Sequence, residues 1–246
     1  MPEGGQSCPA FFPRFMMTQN RRLVIAIDGP VGAGKSTAAR CLAEALGYVH
    51  IDSGAMYRAM GWKAAQTGTD LQDRERVAAM ALATDIRVVP GASSSRILVD
   101  ERDVTAELRT QAMDEASSVV STYLEVRRRL VALQRAMAEG GGIVMDGRDI
   151  GTVVFPDADL KFYLDADVGV RAARRLQDLR RTGSGADLDA VRIEVARRDA
   201  RDRGRGTSPL TVADNAIRID STGLEADEVV RRMLAVVEKF VKPDKS

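Results

Sequence analysis

A glycine-rich loop near the start of the chain has the composition and spacing of a phosphate-binding site. The pattern G-x-x-x-x-G-K-[ST] is met by Gly29, Pro30, Val31, Gly32, Ala33, Gly34, Lys35 and Ser36. Its glycines let backbone N–H groups turn inward around phosphate oxygens, and the positive end of the following helix faces the same site. Lys35 is long enough to reach the β- and γ-phosphates of a nucleotide, and Ser36 can ligate Mg²⁺. We therefore expect residues 29–37, which end at Thr37, to bind nucleotide phosphates.

The phosphate loop does not by itself name a reaction, but it disfavours some nucleotide-binding classes. A GTPase would need a guanine-reading N-K-x-D motif, which the sequence lacks, and an ATP-driven motor would usually be larger. Asp146 ends an apolar run and can contact Mg²⁺ directly or through water. The alternative for Asp146 is an ordinary turn or helix-capping aspartate. Ser36 and Asp146 are the candidate metal ligands.

Two further segments carry polar and charged residues suited to a second, anionic substrate. Ser53 begins a predicted helix that also carries Tyr57 and Arg58, and a serine at this place suits the helix cap. The helix start can attract an anion, towards which Arg58 can reach. Arg148 and Asp149 lie between two glycines on a tight loop after a predicted strand. We interpret this loop as a device that presents a cation and an acid.

The densest run of charge lies at residues 197–205. Arg198, Asp202 and Arg205 are spaced i, i+4 and i+7, so they share one face of a helix, and Arg201 lies beside that face. The usual interpretation of such a run is a solvated, salt-bridged helix surface. Because the run ends at a glycine and is followed by a G-T-S-P-L turn, we favour a loop at a functional site over a solvated surface.

Taken together, the charged residues favour phosphoryl transfer. This reaction needs cations around the migrating group and little covalent help. An acceptor that is itself a phosphate is already ionised near neutral pH, so no general base is required. The sequence has one histidine, His50, which excludes a histidine-centred triad or metal cluster. We interpret His50 as a packed or satisfied strand residue, since a lone histidine has no partner in this sequence.

The elements that position these residues are strands alternating with helices. Apolar runs at 23–27, 48–51, 143–146, 160–165 and 216–220 predict strands, and periodic segments between them predict helices. This alternation indicates an α/β fold with a parallel sheet covered by helices on both faces. In such folds ligands bind beyond the carboxyl ends of the strands. A hairpin is predicted from 86–89 and 96–99, and helices from 105–121 and 123–138.

The composition of the 246 residues argues against several classes of protein. The formal net charge is +1, from 36 basic and 35 acidic residues, which argues against a nucleic-acid partner. The apolar runs are too short to cross a membrane. Cys8 and Cys41 are too few for a disulfide framework or a zinc site, and we expect the chain to be cytoplasmic. Residues 1–20 show no periodic pattern and are expected to be a disordered tail.

At the level of whole motifs, the chain resembles the bacterial cytidylate kinases, which belong to the nucleoside monophosphate kinases. The matching motifs run from about residue 22 to 240. They are I-D-G-P-V-G-A-G-K-S-T at 27–37, D-S-G-A-M-Y-R at 52–58, E-L-R-T-Q at 107–111, D-G-R-D-I-G-T-V-V-F-P-D-A at 146–158, R-R-D-A-R-D-R at 197–203 and S-P-L at 208–210. The D-S-G-x-x-Y-R and D-G-R-D-x-G-T-V-V-F-P motifs are specific to this family, whereas the phosphate-loop motif alone is not.

This resemblance implies a P-loop fold in three parts. A core domain, residues 21–61 and 131–246, would bind ATP with Mg²⁺. Residues 62–130 would form an inserted monophosphate-binding domain, and a lid near 174–187, with its tip at Thr182–Gly185, would close over both nucleotides.

The resemblance also implies the acceptor, CMP or dCMP, and a role for particular residues. Ser118, Arg127 and Asp149 match positions that read the cytosine edge. Ser53, Tyr57, Arg58 and Arg148 match the acceptor pocket and its phosphate end. Arg198 and Asp202 match contacts near the sugar, and Arg205 matches a phosphate-binding arginine. Lys35, Arg148, Arg198 and Arg205 would be the catalytic cations.

Two other functions stay open at this point. One is a different small-molecule P-loop kinase that acts on UMP, AMP or a non-nucleotide acid. The other is a nucleotide sensor or RNA-binding module that uses the arginine run, although aromatic residues make up only 4% of the chain. Without an interface signal in the sequence, we expect a monomer.

Overall fold

The computed structural model describes Cys8 and residues 22–91, 95–181, 183 and 185–242. The expected tail lies outside this part of the chain except for Cys8. Thr182 and Ser184, at the expected lid tip, and residues 92–94, in the expected hairpin turn, also lie outside it.

The centre of the fold is a parallel sheet of five strands, as predicted. Its strands are β1 Val24–Asp28, β2 Val49–Asp52, β6 Ile143–Gly147, β7 Leu160–Asp165 and β8 Ile217–Asp220, in the spatial order β2-β6-β1-β7-β8. Every neighbouring pair is parallel. All five carboxyl ends therefore meet at one edge of the sheet, and β1 lies in the middle with Asp28 opposite Gly147 on one side and Tyr163 on the other.

Helices cover both faces of this sheet. They are α1 Lys35–Leu46, α2 Ser53–Thr67, α3 Arg74–Ala83, α4 Gln111–Val120, α5 Leu124–Met137, α6 Val168–Arg181, α7 Leu188–Gly204 and α8 Ala226–Val241. Ile25, Ile27 and Phe162 point from the sheet into a core shared with α1 and α8. Ala26 and Met145 point the other way, into a core shared with α2 and α5. Such two-sided burial explains why these strands are continuous apolar runs.

A second, small sheet lies in the segment 62–130. It contains β3 Ile86–Val89, β4 Arg96–Val99 and β5 Arg102–Asp103, paired antiparallel in that order. The predicted hairpin is confirmed, whereas the two-residue β5 is too short to leave a pattern. The expected domain boundaries fall inside α2 and α5, so two continuous helices connect this segment to the core.

The helix predicted from 105 begins only at Gln111. The Thr110 hydroxyl accepts a hydrogen bond from the Met113 N–H at 3.3 Å and caps α4 there. The prediction was wrong for residues 105–110, because threonine competes for backbone donors and so favours a helix start over a helix interior.

The two cysteines are joined in a disulfide. Cys41 is a buried residue of α1, and its Cα lies 5.5 Å from that of Cys8. The count of two cysteines gave no reason to expect this bond. It attaches a residue of the expected tail to the helix that follows the phosphate loop.

None of the helices in the described ranges is both long and apolar enough to cross a membrane.

Candidate active site

A cavity of about 290 Å³ opens at the carboxyl edge of the sheet. The phosphate loop, α2, α4, α5, α6, α7 and the turn after β6 line it. The cavity brings together all the acceptor-site candidates, namely Ser53, Tyr57, Arg58, Ser118, Arg127, Arg148, Asp149, Arg198, Asp202 and Arg205. Residues more than 150 positions apart in the sequence therefore form one site. Gly29, Pro30 and Ala33 of the phosphate loop are absent from its lining.

The phosphate loop is shaped by close backbone packing. Gly29 has φ +149°, and a Cβ atom there would lie 1.9 Å from the Leu164 carbonyl oxygen, so only glycine fits. Gly34 precedes α1 in the left-handed conformation and offers no side-chain cap. The N-terminal N–H groups of α1 are thus left for a bound anion.

Lys35 is buried and points back into the loop. Its Nζ donates a hydrogen bond to the Pro30 carbonyl oxygen at 2.7 Å. Burial and the nearby Arg148 guanidinium lower the pKa of Lys35 to about 7. A phosphate placed beside this amine would raise the pKa of Lys35 and so favour its charged form.

Ser36 and Asp146 meet at the place expected for a metal ion. The Ser36 hydroxyl donates to Asp146 Oδ2 at 2.7 Å. A hydroxyl and a carboxylate are the hard oxygen ligands that Mg²⁺ prefers, and Mg²⁺ commonly takes one or two protein ligands with the rest from water and phosphate. Within the described residues no cluster of three or more His, Cys, Asp or Glu side chains exists, which fits such a sparse site.

His50 is a satisfied strand residue, as expected, but it has a partner in the site that the sequence did not show. Its Nε2 lies 2.8 Å from Asp146 Oδ1, on the side of the carboxylate away from Ser36. The two residues are 96 positions apart, on the neighbouring strands β2 and β6. Strand order is the missing information, because the sequence did not show that these strands pair.

Ser53 also has a role different from the expected one. The cap of α2 is Asp52, whose Oδ1 accepts from the Ala55 N–H at 3.1 Å. The Ser53 hydroxyl donates instead to the Asp146 carbonyl oxygen at 2.7 Å. Asp52 also pairs with Arg58 at 2.6 Å, which holds this arginine at the cavity wall.

The part of the cavity expected to read the base contains a buried ion pair. Arg127 and Asp149 are in direct contact, and their side chains are 3% and 7% exposed. Burial raises the pKa of Asp149, and the Arg127 guanidinium opposes that rise. The Arg127 guanidinium also lies over the Tyr57 ring at 5.7 Å. Burial raises the pKa of Tyr57 to about 12, so the phenol is neutral at physiological pH.

A second group of arginines in the cavity is organised around Asp202. Its carboxylate accepts from Arg148 Nε at 2.8 Å and contacts Arg205 directly. Burial favours the protonated acid, but these two arginines outweigh it and hold the pKa of Asp202 below its usual range. Burial and Arg148 lower the pKa of Arg198 to about 10, still well above neutrality.

The turn after β6, residues 147–151, is called the acceptor loop below. A Cβ atom on Gly147 would lie 2.5 Å from the Ser53 hydroxyl, which explains the glycine. The loop leads into a π-helical turn, Ile150–Val154, that the sequence did not predict. Its first two N–H groups, of Ile150 and Gly151, donate to the carboxylate of Asp28 at 2.8 and 2.7 Å.

Sequence reasoning missed several polar cavity residues, namely Asp114, Ser117, Ser121, Arg175 and Asp178. Asp114 of α4 pairs with Arg175 of α6 at 2.5 Å and lies 3.5 Å from Arg58 of α2. A signal existed for Asp114, because it shares a helix face with Ser118, four residues later. Arg175 is one of many arginines in its helix, and nothing in that pattern distinguishes it. Ser118 itself accepts a hydrogen bond from Arg201 of α7.

The chain is similar in sequence to known cytidylate kinases. A family model described as cytidylate kinase matches residues 25–239. A cytidylate kinase from Symbiobacterium thermophilum is 48% identical over 220 residues, which cover 89% of this chain and 97% of the relative. One from Geobacillus kaustophilus is 46% identical over 221 residues, covering 90% and 99%. A solved shikimate kinase from Acinetobacter baumannii, in complex with shikimate, has a TM-score of 0.44 at 15% identity, covering 89% of this chain and 95% of its own. The family match spans all the site candidates.

Proposed function

The chain belongs to the cytidylate kinase family, and from this premise we propose that it transfers the γ-phosphoryl group of ATP to CMP and dCMP. The products are ADP and the corresponding cytidine diphosphate. The observation that carries this proposal is the buried Arg127–Asp149 pair in a cavity that also reaches the phosphate loop. The cavity has a place for a base at one end and cations for phosphates at the other.

Base selection is assigned to Asp149 with Arg127 and Ser118. Cytosine carries an exocyclic amine where uracil carries a carbonyl oxygen. An ionised Asp149 accepts a hydrogen bond from the amine and repels the carbonyl. Because Arg127 is buried against this carboxylate, it favours the ionised form that the selection needs.

Phosphoryl transfer is assigned to the cations. Lys35 and Arg205 stabilise the migrating group, and Arg148 and Arg198 complete the positive wall around it. Arg58 and Arg205 have buried Nε donors without a partner among the described residues, so each can donate further to a phosphate oxygen. The acceptor phosphate is already ionised and needs no general base.

Mg²⁺ is assigned to Ser36 and Asp146. These two residues would hold the ion, which would supply positive charge that offsets the charge of the nucleotide phosphates. His50 and Ser36 hold the two carboxylate oxygens of Asp146 from opposite sides, so that the acid has a defined orientation.

The domain roles and the cellular setting are further parts of the proposal. Residues 62–130 supply the acceptor pocket through α4 and α5, and residues 174–187 form a lid. The enzyme acts as a monomer in the cytoplasm, where its nucleotide substrates are made. Light scattering after size exclusion tests the assembly. Disulfides are rare in the cytoplasm, and only free thiols can be alkylated. Alkylation of Cys8 and Cys41 in intact cells would therefore support this location.

The proposed activity is tested by a coupled assay of ADP formation over a panel of CMP, dCMP, UMP, AMP and shikimate. We expect kcat/KM for CMP and dCMP to exceed that for UMP by at least about tenfold. A Lys35→Met variant controls for contaminating kinases and should lose at least about a hundredfold in kcat. Preference for another acceptor would refute the proposal.

A further inference from the structure

Asp28 is a buried carboxylate next to the site that the reaction described above does not use. It is the last residue of β1, 5% exposed, and the phosphate loop begins directly after it. Its Oδ1 accepts from the Ile150 N–H at 2.8 Å and its Oδ2 from the Gly151 N–H at 2.7 Å. Both oxygens thus hold the same turn of backbone, which lies more than 120 residues later in the sequence.

Asp28 cannot easily follow that turn if the turn moves. Its backbone is paired with Gly147 of β6 and Tyr163 of β7, in the middle of the sheet. The next residue, Gly29, is packed so closely that a Cβ atom on it would lie 1.9 Å from the Leu164 carbonyl oxygen. A carboxylate fixed in this way acts as a rigid reference point for whatever it binds.

The turn held by Asp28 includes the backbone directly after Asp149. The Asp149 carbonyl oxygen accepts from the Val153 and Val154 N–H groups at 2.9 and 3.1 Å, so Asp149 itself begins the π-helical turn. Without Asp28, two buried N–H groups would lose their acceptors, and the turn would have to move to find others. Such a movement would carry the Asp149 side chain away from Arg127.

We propose that Asp28 is a positioning residue for base selection, which aims the Asp149 carboxylate at the acceptor base. This inference rests on the proposed function, because it assigns to Asp149 the discrimination between cytosine and uracil. Asp28 is also a common anchor for two loops. It ends β1 directly before the phosphate loop, and its side chain binds the acceptor loop.

The test is the variant Asp28→Asn, which is nearly isosteric but places an N–H₂ donor against one of the two backbone N–H groups. We expect KM for CMP to rise about tenfold and the CMP:UMP ratio of kcat/KM to fall at least about tenfold, with KM for ATP changed less than about twofold. The matched control is Asp165→Asn, which makes the same change at the end of the neighbouring strand. Asp165 accepts from its own neighbour Ala166 at 2.9 Å and does not touch the acceptor loop. It should leave the CMP:UMP ratio unchanged.

A double-variant cycle separates positioning from general damage to the fold. In an Asp149→Asn background, Asp28→Asn should have no further effect on the CMP:UMP ratio, because the residue that it positions is already lost. An additive effect would overturn the inference. If Asp28→Asn does not fold, Asp28→Glu retains the charge and displaces the two oxygens; an unchanged ratio in that variant would also overturn it.

The wild-type panel distinguishes the two levels of failure. A wild-type enzyme without preference for CMP refutes the proposed function and this inference with it. A wild-type enzyme that prefers CMP, together with an Asp28→Asn variant that keeps the full preference, refutes the inference alone.

Discussion

In the proposed function, the Arg127–Asp149 pair divides the work of base recognition between two residues. Each side chain is almost completely buried, so each charge is compensated by the other. The pair therefore stabilises a charged acceptor of hydrogen bonds in a place where a base can meet it. Only the family resemblance indicated a role for Arg127.

Replacing Asp149 by asparagine should remove base selection while keeping catalysis. The asparagine side chain can accept a hydrogen bond from cytosine through its oxygen or donate one to uracil through its nitrogen. We expect the CMP:UMP ratio of kcat/KM to fall at least about tenfold. Steady-state kinetics with both nucleotides measures it.

ATP affinity, measured by calorimetry, is the control for this change and should stay within about twofold. A variant that still prefers CMP as strongly as the wild type would exclude Asp149 as the reader of the base.

From the pKa of Asp28 we predict how the free energy of unfolding depends on pH. Burial raises the pKa of Asp28 to about 6 from an ordinary value of 3.8, although the Gly151 and Ile150 N–H groups oppose the rise. Between these values the folded protein holds a proton that the unfolded chain releases, so this group stabilises the fold less as pH rises. The free energy of unfolding of the wild type, relative to Asp28→Asn, should fall by up to about 1.4 kcal/mol per pH unit from about pH 4 to 6.

Urea unfolding of the two proteins at a series of pH values measures this difference. The difference should become flat above about pH 7, where Asp28 is ionised in both states. A difference that instead grows with pH over this range would mean that the carboxylate is stabilised in the folded protein.

At the scale of elements, the sequence predicts regular structure well and its junctions poorly. The central strands β1, β6 and β7 are buried on both faces, and their apolar pattern identifies them without knowledge of their neighbours. The cap at Asp52, the two-residue strand β5 and the π-helical turn depend on contacts with distant segments. Physical chemistry local to the chain could not predict them, because Ser53 is as good a cap as Asp52 until its hydroxyl is taken by β6.

The packing of α2 on α4 depends on one glycine. A Cβ atom on Gly61 of α2 would lie 2.6 Å from the Cβ of Ala116 of α4. Alanine favours a helix by about 1 kcal/mol over glycine, but overpacking costs about 1–3 kcal/mol. Gly61→Ala should therefore lower the free energy of unfolding by about 1 kcal/mol and raise KM for CMP, because α4 carries Ser118. Urea unfolding and steady-state kinetics measure these effects.

Ala116→Gly provides the matched test of this contact. On its own it should destabilise the protein, whereas in the Gly61→Ala background it should cost less, because it removes the clash. Equal costs in both backgrounds would show that the two helices do not meet at this point.

At the scale of the whole molecule, the disulfide is the feature for which sequence reasoning had no signal. It joins residues that are 33 positions apart, and a closed loop of this length is worth about 3–4 kcal/mol through the entropy of the unfolded chain. Reduction of the purified protein should lower the free energy of unfolding by about this amount. Denaturant titration with and without a thiol reductant measures it.

Cys8→Ser is the control for the disulfide, and its stability should not respond to the reductant. Two titratable thiols in the native, untreated protein would contradict the bond.

The lining of the cavity also explains how an enzyme for polyanions can remain nearly neutral. Lys35 and six arginines line it, but so do six aspartates, and most of the arginines already touch one of these acids. A phosphate that enters the site therefore has to replace a protein carboxylate as the acceptor of hydrogen bonds from these arginines. Exchange of this kind creates little long-range attraction, so discrimination among anions takes place on contact, after the cavity is entered. Only an anion small enough to enter the cavity can displace these internal partners.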